Sequence, residues 1–177
     1  MKKLILGSAI VAVLGVASSA MAAPNSGTVN FTGAVSSATC EFSVKDSSGG
    51  NISSVNLGTL STAATGNGTP VAFKLTPADN TCIAKTAATV TWSSPTLTAA
   101  GIANATTTGG TNAYLQVATT NAAQKSDQAF IKEGQTSFDY SGAKIESFDY
   151  SAVLTKPATA MVAGPFNASA SYVVSYK

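Results

Sequence analysis

The sequence predicts an all-β domain, and three features of the chain carry that prediction. Two alternating runs bracket it. In Gly27-Thr28-Val29-Asn30-Phe31-Thr32-Gly33-Ala34-Val35, the odd positions Gly27, Val29, Phe31, Gly33 and Val35 share one face, the period-two signature of a half-buried strand. Near the other end, Ala168-Ser169-Ala170-Ser171-Tyr172-Val173-Val174-Ser175-Tyr176 repeats the pattern with Tyr172, Val174 and Tyr176 inward. Between them, short apolar or alternating runs are punctuated by Gly, Pro, Asn and Ser, while helical periodicity is scarce.

Taken in order, the chain opens with a leader. Lys2 and Lys3 give a basic start, Leu4 to Val16 an apolar run, and Ala20-Met21-Ala22 a small-x-small cleavage site, so residues 1–22 read as a signal peptide. The apolar run is shorter than the roughly 20 residues a spanning helix needs. Residues 23–36 form an N-terminal extension that overlaps the first strand, and residues 37–177 form one domain, within the usual size for a single core.

The strands expected from the pattern are 28–36, 40–44, 52–57, 70–75, 88–93, 113–118, 126–130, 137–140, 145–154 and 168–176. Asp46-Ser47-Ser48-Gly49-Gly50-Asn51 and Gly66-Asn67-Gly68 are turns, because Gly and Asn tolerate the positive φ of tight reversals. Residues 96–112, rich in Ala, Thr and Gly with only Leu97 and Ile102 large and apolar, read as a long exposed loop or a short helix. The pentapeptide Ser137-Phe138-Asp139-Tyr140-Ser141 recurs at Ser147-Phe148-Asp149-Tyr150-Ser151, which reads as two neighbouring strands. Its aromatic residues are expected to pack in the core; a sugar-stacking platform is the competing role.

Charge and composition exclude several functions. Once Lys2 and Lys3 are removed, the remaining lysines equal the Asp and Glu residues in number, and no arginine is present to make bidentate phosphate or base contacts. Nucleic acid is therefore not an expected partner. With no histidine, neither a Ser-His-Asp triad nor a His-bearing zinc site can be built. Asp139 and Asp149 are the one pair of carboxylates a glycosidase-like site could use, with solvated strand residues the preferred reading. Gly109-Gly110 lacks the following Gly-Lys-Ser/Thr of a phosphate loop. No catalytic residue, cofactor or metal is expected, and the chain does not read as an enzyme.

Cys40 and Cys82 are the only cysteines, and an exported chain with an even count pairs them. They lack the C-x-x-C spacing of a redox pair. Asn-x-Ser/Thr triplets begin at Asn30, Asn51, Asn67, Asn104 and Asn167, which the Ser, Thr and Asn content explains by chance.

Together, Gly27-Thr28-Val29-Asn30-Phe31-Thr32-Gly33, Ala38-Thr39-Cys40, a second cysteine at Cys82 and a terminal Tyr176-Lys177 resemble a chaperone–usher fimbrial subunit along the whole chain after the leader. Phe73-Lys74-Leu75-Thr76-Pro77, Cys82-Ile83-Ala84-Lys85-Thr86 and Ala168-Ser169-Ala170-Ser171-Tyr172 resemble the major subunits of thin adhesive enterobacterial fimbriae of the type 1-like pilin family. The resemblance implies an incomplete immunoglobulin-like β-sandwich lacking its final strand, completed by a donor strand from a neighbouring subunit. It implies a donor segment at 25–35, with Gly27, Val29, Phe31 and Gly33 entering the neighbour's groove. Tyr172, Val174 and Tyr176 would line the groove, and the Lys177 carboxylate would be captured by a periplasmic chaperone.

The implied partners are identical subunits, that chaperone, an outer-membrane usher and host glycoconjugates, and the implied location is a cell-surface fimbria reached through the periplasm. The donor segment and the lack of a second, lectin-sized domain favour a shaft subunit, with a minor adaptor as the alternative. Lys132 and Lys156 are the candidates for glycan contact. A self-contained secreted β-sandwich that binds a ligand as a monomer is the competing class.

Overall fold

The computed structural model describes residues 40–177. The leader and the expected strand at 28–36, with Gly27, Val29, Phe31 and Gly33, lie outside the described residues. The elements run β1(Phe42–Asp46), β2(Val71–Pro77), α1(Asn80–Ile83), β3(Ala87–Ser93), β4(Leu97–Thr98), β5(Gly101–Ala103), β6(Tyr114–Thr119), β7(Ser137–Ser141), β8(Phe148–Thr155) and β9(Ser171–Tyr176). They form a six-stranded sheet in the order β1-β2-β8-β6-β5-β4 and a three-stranded sheet in the order β7-β3-β9. Every pairing is antiparallel. Two packed antiparallel sheets without barrel closure make this an immunoglobulin-like sandwich.

Alternation dictates the core. On β3, Ala88, Val90 and Trp92 are buried; on β7, Phe138 and Tyr140; on β8, Phe148, Tyr150, Ala152 and Leu154; on β9, Tyr172 and Val174. A slip of one residue in any of these strands would turn its apolar set to solvent, so the burial pattern fixes the register. The aromatic rings meet in the middle: Tyr150 stacks on Phe73 at 5.3 Å and takes Trp92 edge-on at 5.0 Å. Phe42 at the sheet edge reaches across to Tyr172 and Tyr176.

Four expectations are corrected. The echoed pentapeptides are not neighbouring strands: β7 belongs to one sheet and β8 to the other, so they face each other across the sandwich, where Tyr140 donates to Tyr150 Oη at 2.7 Å. Residues 126–130 form a 3-10 helix over Ser126–Ala129 rather than a strand, with Ser126 at φ 53, and only Phe130 makes a bridge, to Ala118. Residues 96–112 contain the hairpin β4–β5 rather than a plain loop or helix. Gly101, at φ 144, turns it where a Cβ would strike the Leu115 carbonyl.

The fourth concerns residues 52–57, which are not a strand. Ile52 N–H bonds to Val44 carbonyl, but residues 53–60 make no backbone–backbone hydrogen bond among the described residues, although Ile52, Val55 and Leu57 are half-buried against the core. The alternating pattern is a strand's, without a strand's backbone pairing among the described residues. The short helix α1 was not expected either. Asp79 caps it by accepting from Thr81 N–H at 2.7 Å, and the Asp-Asn-Thr run is the signal that marks it.

Cys40 and Cys82 are bonded, with Cα atoms 6.1 Å apart, tying the entry to β1 onto α1. Replacing both by Ser should lower stability by about 4 kcal/mol in the loop-closure picture. Denaturant midpoints with and without reductant check this: the wild type should fall to the variant's midpoint on reduction, and the variant should not respond.

A chain of buried polar groups crosses the core. Trp92 Nε1–H and Tyr140 Oη–H both donate to Tyr150 Oη, at 3.1 and 2.7 Å, and Tyr140 Oη lies 2.8 Å from Thr119 Oγ1. Burial pushes the Tyr140 phenol up to about 12 and raises that of Tyr150 further. Tyr150→Phe removes the shared acceptor of two buried donors and should destabilise the fold by about 1–3 kcal/mol in a thermal melt. A loss below a few tenths would mean the chain contributes nothing net.

Candidate functional site

The sheets do not close where β1 and β9 approach. A groove of about 590 Å³ opens there between residues 52–57 on one side and 166–172 on the other. Its floor includes Phe73, Leu75, Trp92, Ile102 and Val117, residues otherwise counted in the core. A second compartment of about 580 Å³ continues it between residues 55–62 and 161–166, sharing Val55, Leu57 and Phe166. No charged side chain lines either compartment; the polar lining is Ser, Thr and Asn.

The wall on the β9 side keeps strand character beyond the strand. Phe166, Ala168 and Ala170 are half-buried while Asn167, Ser169 and Ser171 are exposed, so the inward face of Tyr172 and Val174 extends back to Phe166. The ladder with β3 begins only at Ser171, and β9 is an edge strand with β3 on one side. Residues 168–170 and 53–60 thus present backbone N–H and C=O groups without backbone partners among the described residues. A buried apolar floor between two such edges has the chemistry of a strand-binding site: the backbone supplies the ladder and the floor selects alternate apolar side chains.

Tyr172 and Val174 face the interior, and Tyr172 lines the groove. Tyr176 is half-buried beside Phe42. Its hydroxyl has no hydrogen-bond partner among the described residues, and burial pushes it up to about 12. Lys177 N–H bonds to Ala87 carbonyl at 3.0 Å, continuing the ladder. Its ammonium lies 3.2 Å from Asp139 Oδ1, an exposed pair on the outer face of the three-stranded sheet. Asp139 also accepts from Thr89 and Gln124, and the Thr89 bond, then Lys177, hold its carboxyl below the ordinary value.

Other candidate residues are not drawn together. Asp139 and Asp149 each alternate with buried aromatics of opposite sheets, so both point outward and away from each other's sheet, and Asp149 is satisfied by Ser147. Lys156 spends its ammonium on the Ala64 carbonyl at 2.9 Å and its N–H on Asn67 Oδ1, tying the end of β8 to a loop. Lys132 sits in the turn that pairs with Gln135. Among the described residues no cluster of three or more His, Cys, Asp or Glu could hold a metal. The Asn104 amide is fully engaged within the fold, in keeping with a chance triplet there.

The described residues define an antiparallel β-sandwich with an apolar groove along one edge. The chain is 38% identical over 166 residues to the K99 fimbrial protein of Escherichia coli, covering 88% of this chain and 89% of that protein. It is 34% identical over 182 residues to the F107 fimbrial protein of the same organism, covering 100% of both. No protein-family model matches it. The chain belongs to the fimbrial-protein family: it is a fimbrial subunit, and its relatives point to no enzymatic family.

Proposed function

We propose that this subunit polymerises by donor-strand exchange, with residues 25–35 of one copy filling the groove of the next. The observation that carries the reading is the groove itself, an apolar floor flanked by backbone edges with no partners among the described residues. Gly27, Val29, Phe31 and Gly33 are the donor positions that enter it. Burying Val29 and Phe31 contributes about 1.5–3 kcal/mol each, and each backbone hydrogen bond of the new ladder about 1 kcal/mol. Dissociation then requires opening a completed sandwich, so the fibre is held kinetically.

The remaining steps follow from this role. Residues 1–22 direct export to the periplasm and are removed. A periplasmic chaperone lends a strand to the groove and takes the Lys177 carboxylate, and an outer-membrane usher replaces that strand with the next subunit's. The assembled shaft stands on the cell surface and supports adhesion to host cells. Lys132 is the side chain to replace first in a glycan-binding test, since Lys156 is already engaged.

Gel mobility of the purified surface material, unheated and boiled in SDS, tests the polymer. A ladder that collapses to one band on boiling, with fibres in negative stain, is the expected result. A monomer band in both lanes, from protein that folds unaided, would contradict it.

A further inference from the structure

We infer that Asn104 and Asn112 are positioning residues for strand capture: they hold the groove wall at 159–167 at the spacing that a donor strand requires. The inference rests on the reading of the groove as the donor-strand site. Residues 159–167 lie between β8 and β9 and belong to neither sheet, yet Met161 to Phe166 form one side of the outer compartment. What fixes them is the loop behind, residues 104–112.

Asn104 uses its whole hydrogen-bonding capacity there. Its Nδ2 donates to Thr111 and Pro165 carbonyls, both at 2.9 Å, and its Oδ1 accepts from Thr106 and Asn167 N–H at 3.0 and 2.9 Å. Asn112 repeats the device further out, donating to Ala160 carbonyl at 2.9 Å and accepting from Val162 N–H at 2.8 Å. Two backbone bonds, Ala105 N–H to Asn167 carbonyl and Thr111 N–H to Pro165 carbonyl, run in parallel.

Close approach completes the join. Gly164, at φ 156, packs so tightly on the loop that a Cβ would strike the Gly109 carbonyl oxygen and come within 2.8 Å of Thr111 N. Among the described residues no hydrogen bond crosses from 159–167 to the opposite wall at 52–62. The position of this wall is therefore set from behind, by the two amides together with the two backbone bonds, and neither Asn104 nor Asn112 lines either compartment. Releasing them would change how firmly a strand is gripped, while the core aromatics stay as they are.

The test uses full-length secreted polymer carrying Asn104→Asp, Asn112→Ala or Gly164→Ala, and follows collapse of the SDS-resistant ladder with time at fixed temperature. Asn121→Ala is the control, because Asn121 also bonds two backbone groups, Ser147 carbonyl and Asp149 N–H, but lies away from the groove. The three wall variants should release subunits about tenfold faster, the equivalent of one net hydrogen bond, with unchanged Trp92 emission and the control releasing at the wild-type rate. Gly164→Ala and Asn112→Ala carry the test if Asn104→Asp is not secreted. Equal acceleration in the control, or wild-type rates in the wall variants, would overturn the positioning role. Phe31→Asp run alongside separates the two claims: if it still forms a ladder, the donor-strand reading fails, and if it does not, only the positioning role is at stake.

Discussion

Phe31→Asp is expected to abolish the SDS-resistant ladder and leave monomers. In the proposed donor segment, residues 25–35, Phe31 is the largest apolar side chain, and the groove it would enter has a floor of Phe73, Leu75, Trp92 and Ile102 with no charged group lining it. Exchange of Phe for Asp removes about 2–3 kcal/mol of burial. It also asks an unpaired carboxylate to leave water, which costs several kcal/mol more or forces protonation. On the donor-strand proposal residue 31 serves the neighbouring subunit's groove, so the variant's own groove is expected to stay intact. Fibres at normal yield from this variant would rule out the donor-strand mechanism.

Leu57→Asp is expected to produce the complementary defect. Leu57 is half-buried, packs against the core from the unpaired 53–60 segment and belongs to both compartments of the groove. A carboxylate there meets the same desolvation penalty when a strand closes over it, whereas in the open groove it stays hydrated. Its donor segment is untouched. This subunit should therefore donate but not accept, and on its own it should remain monomeric. Wild-type ladders from Leu57→Asp would mean that strands are captured elsewhere on the molecule.

Most of the sandwich was legible in the sequence because burial follows alternation: Tyr172 and Val174, or Phe138 and Tyr140, announce their inward face without reference to any partner. Pairing was less legible. The echoed Ser-Phe-Asp-Tyr-Ser segments show identical local patterns, yet lie in opposite sheets, since the sheet a strand joins depends on long-range contacts that a period of two does not encode. The hairpin β4–β5 was hidden by its two-residue and three-residue strands, where Gly101 was the one available signal. Residues 52–57 carry a strand's pattern without a strand's pairing, and that mismatch is itself the mark of the groove. The amides of Asn104 and Asn112 were invisible, because bonds from an Asn side chain to backbone 48 to 63 residues away leave no local pattern.

Mixing the two variants tests the central claim most directly. Phe31→Asp keeps an intact groove and Leu57→Asp an intact donor, so together they can make one joint and no more. Unheated electrophoresis of the one-to-one mixture, followed by mass measurement of the band, should show a heterodimer that boiling separates, while each variant alone stays monomeric. No complex in the mixture, or a ladder from either variant alone, would contradict donor-strand exchange through this groove.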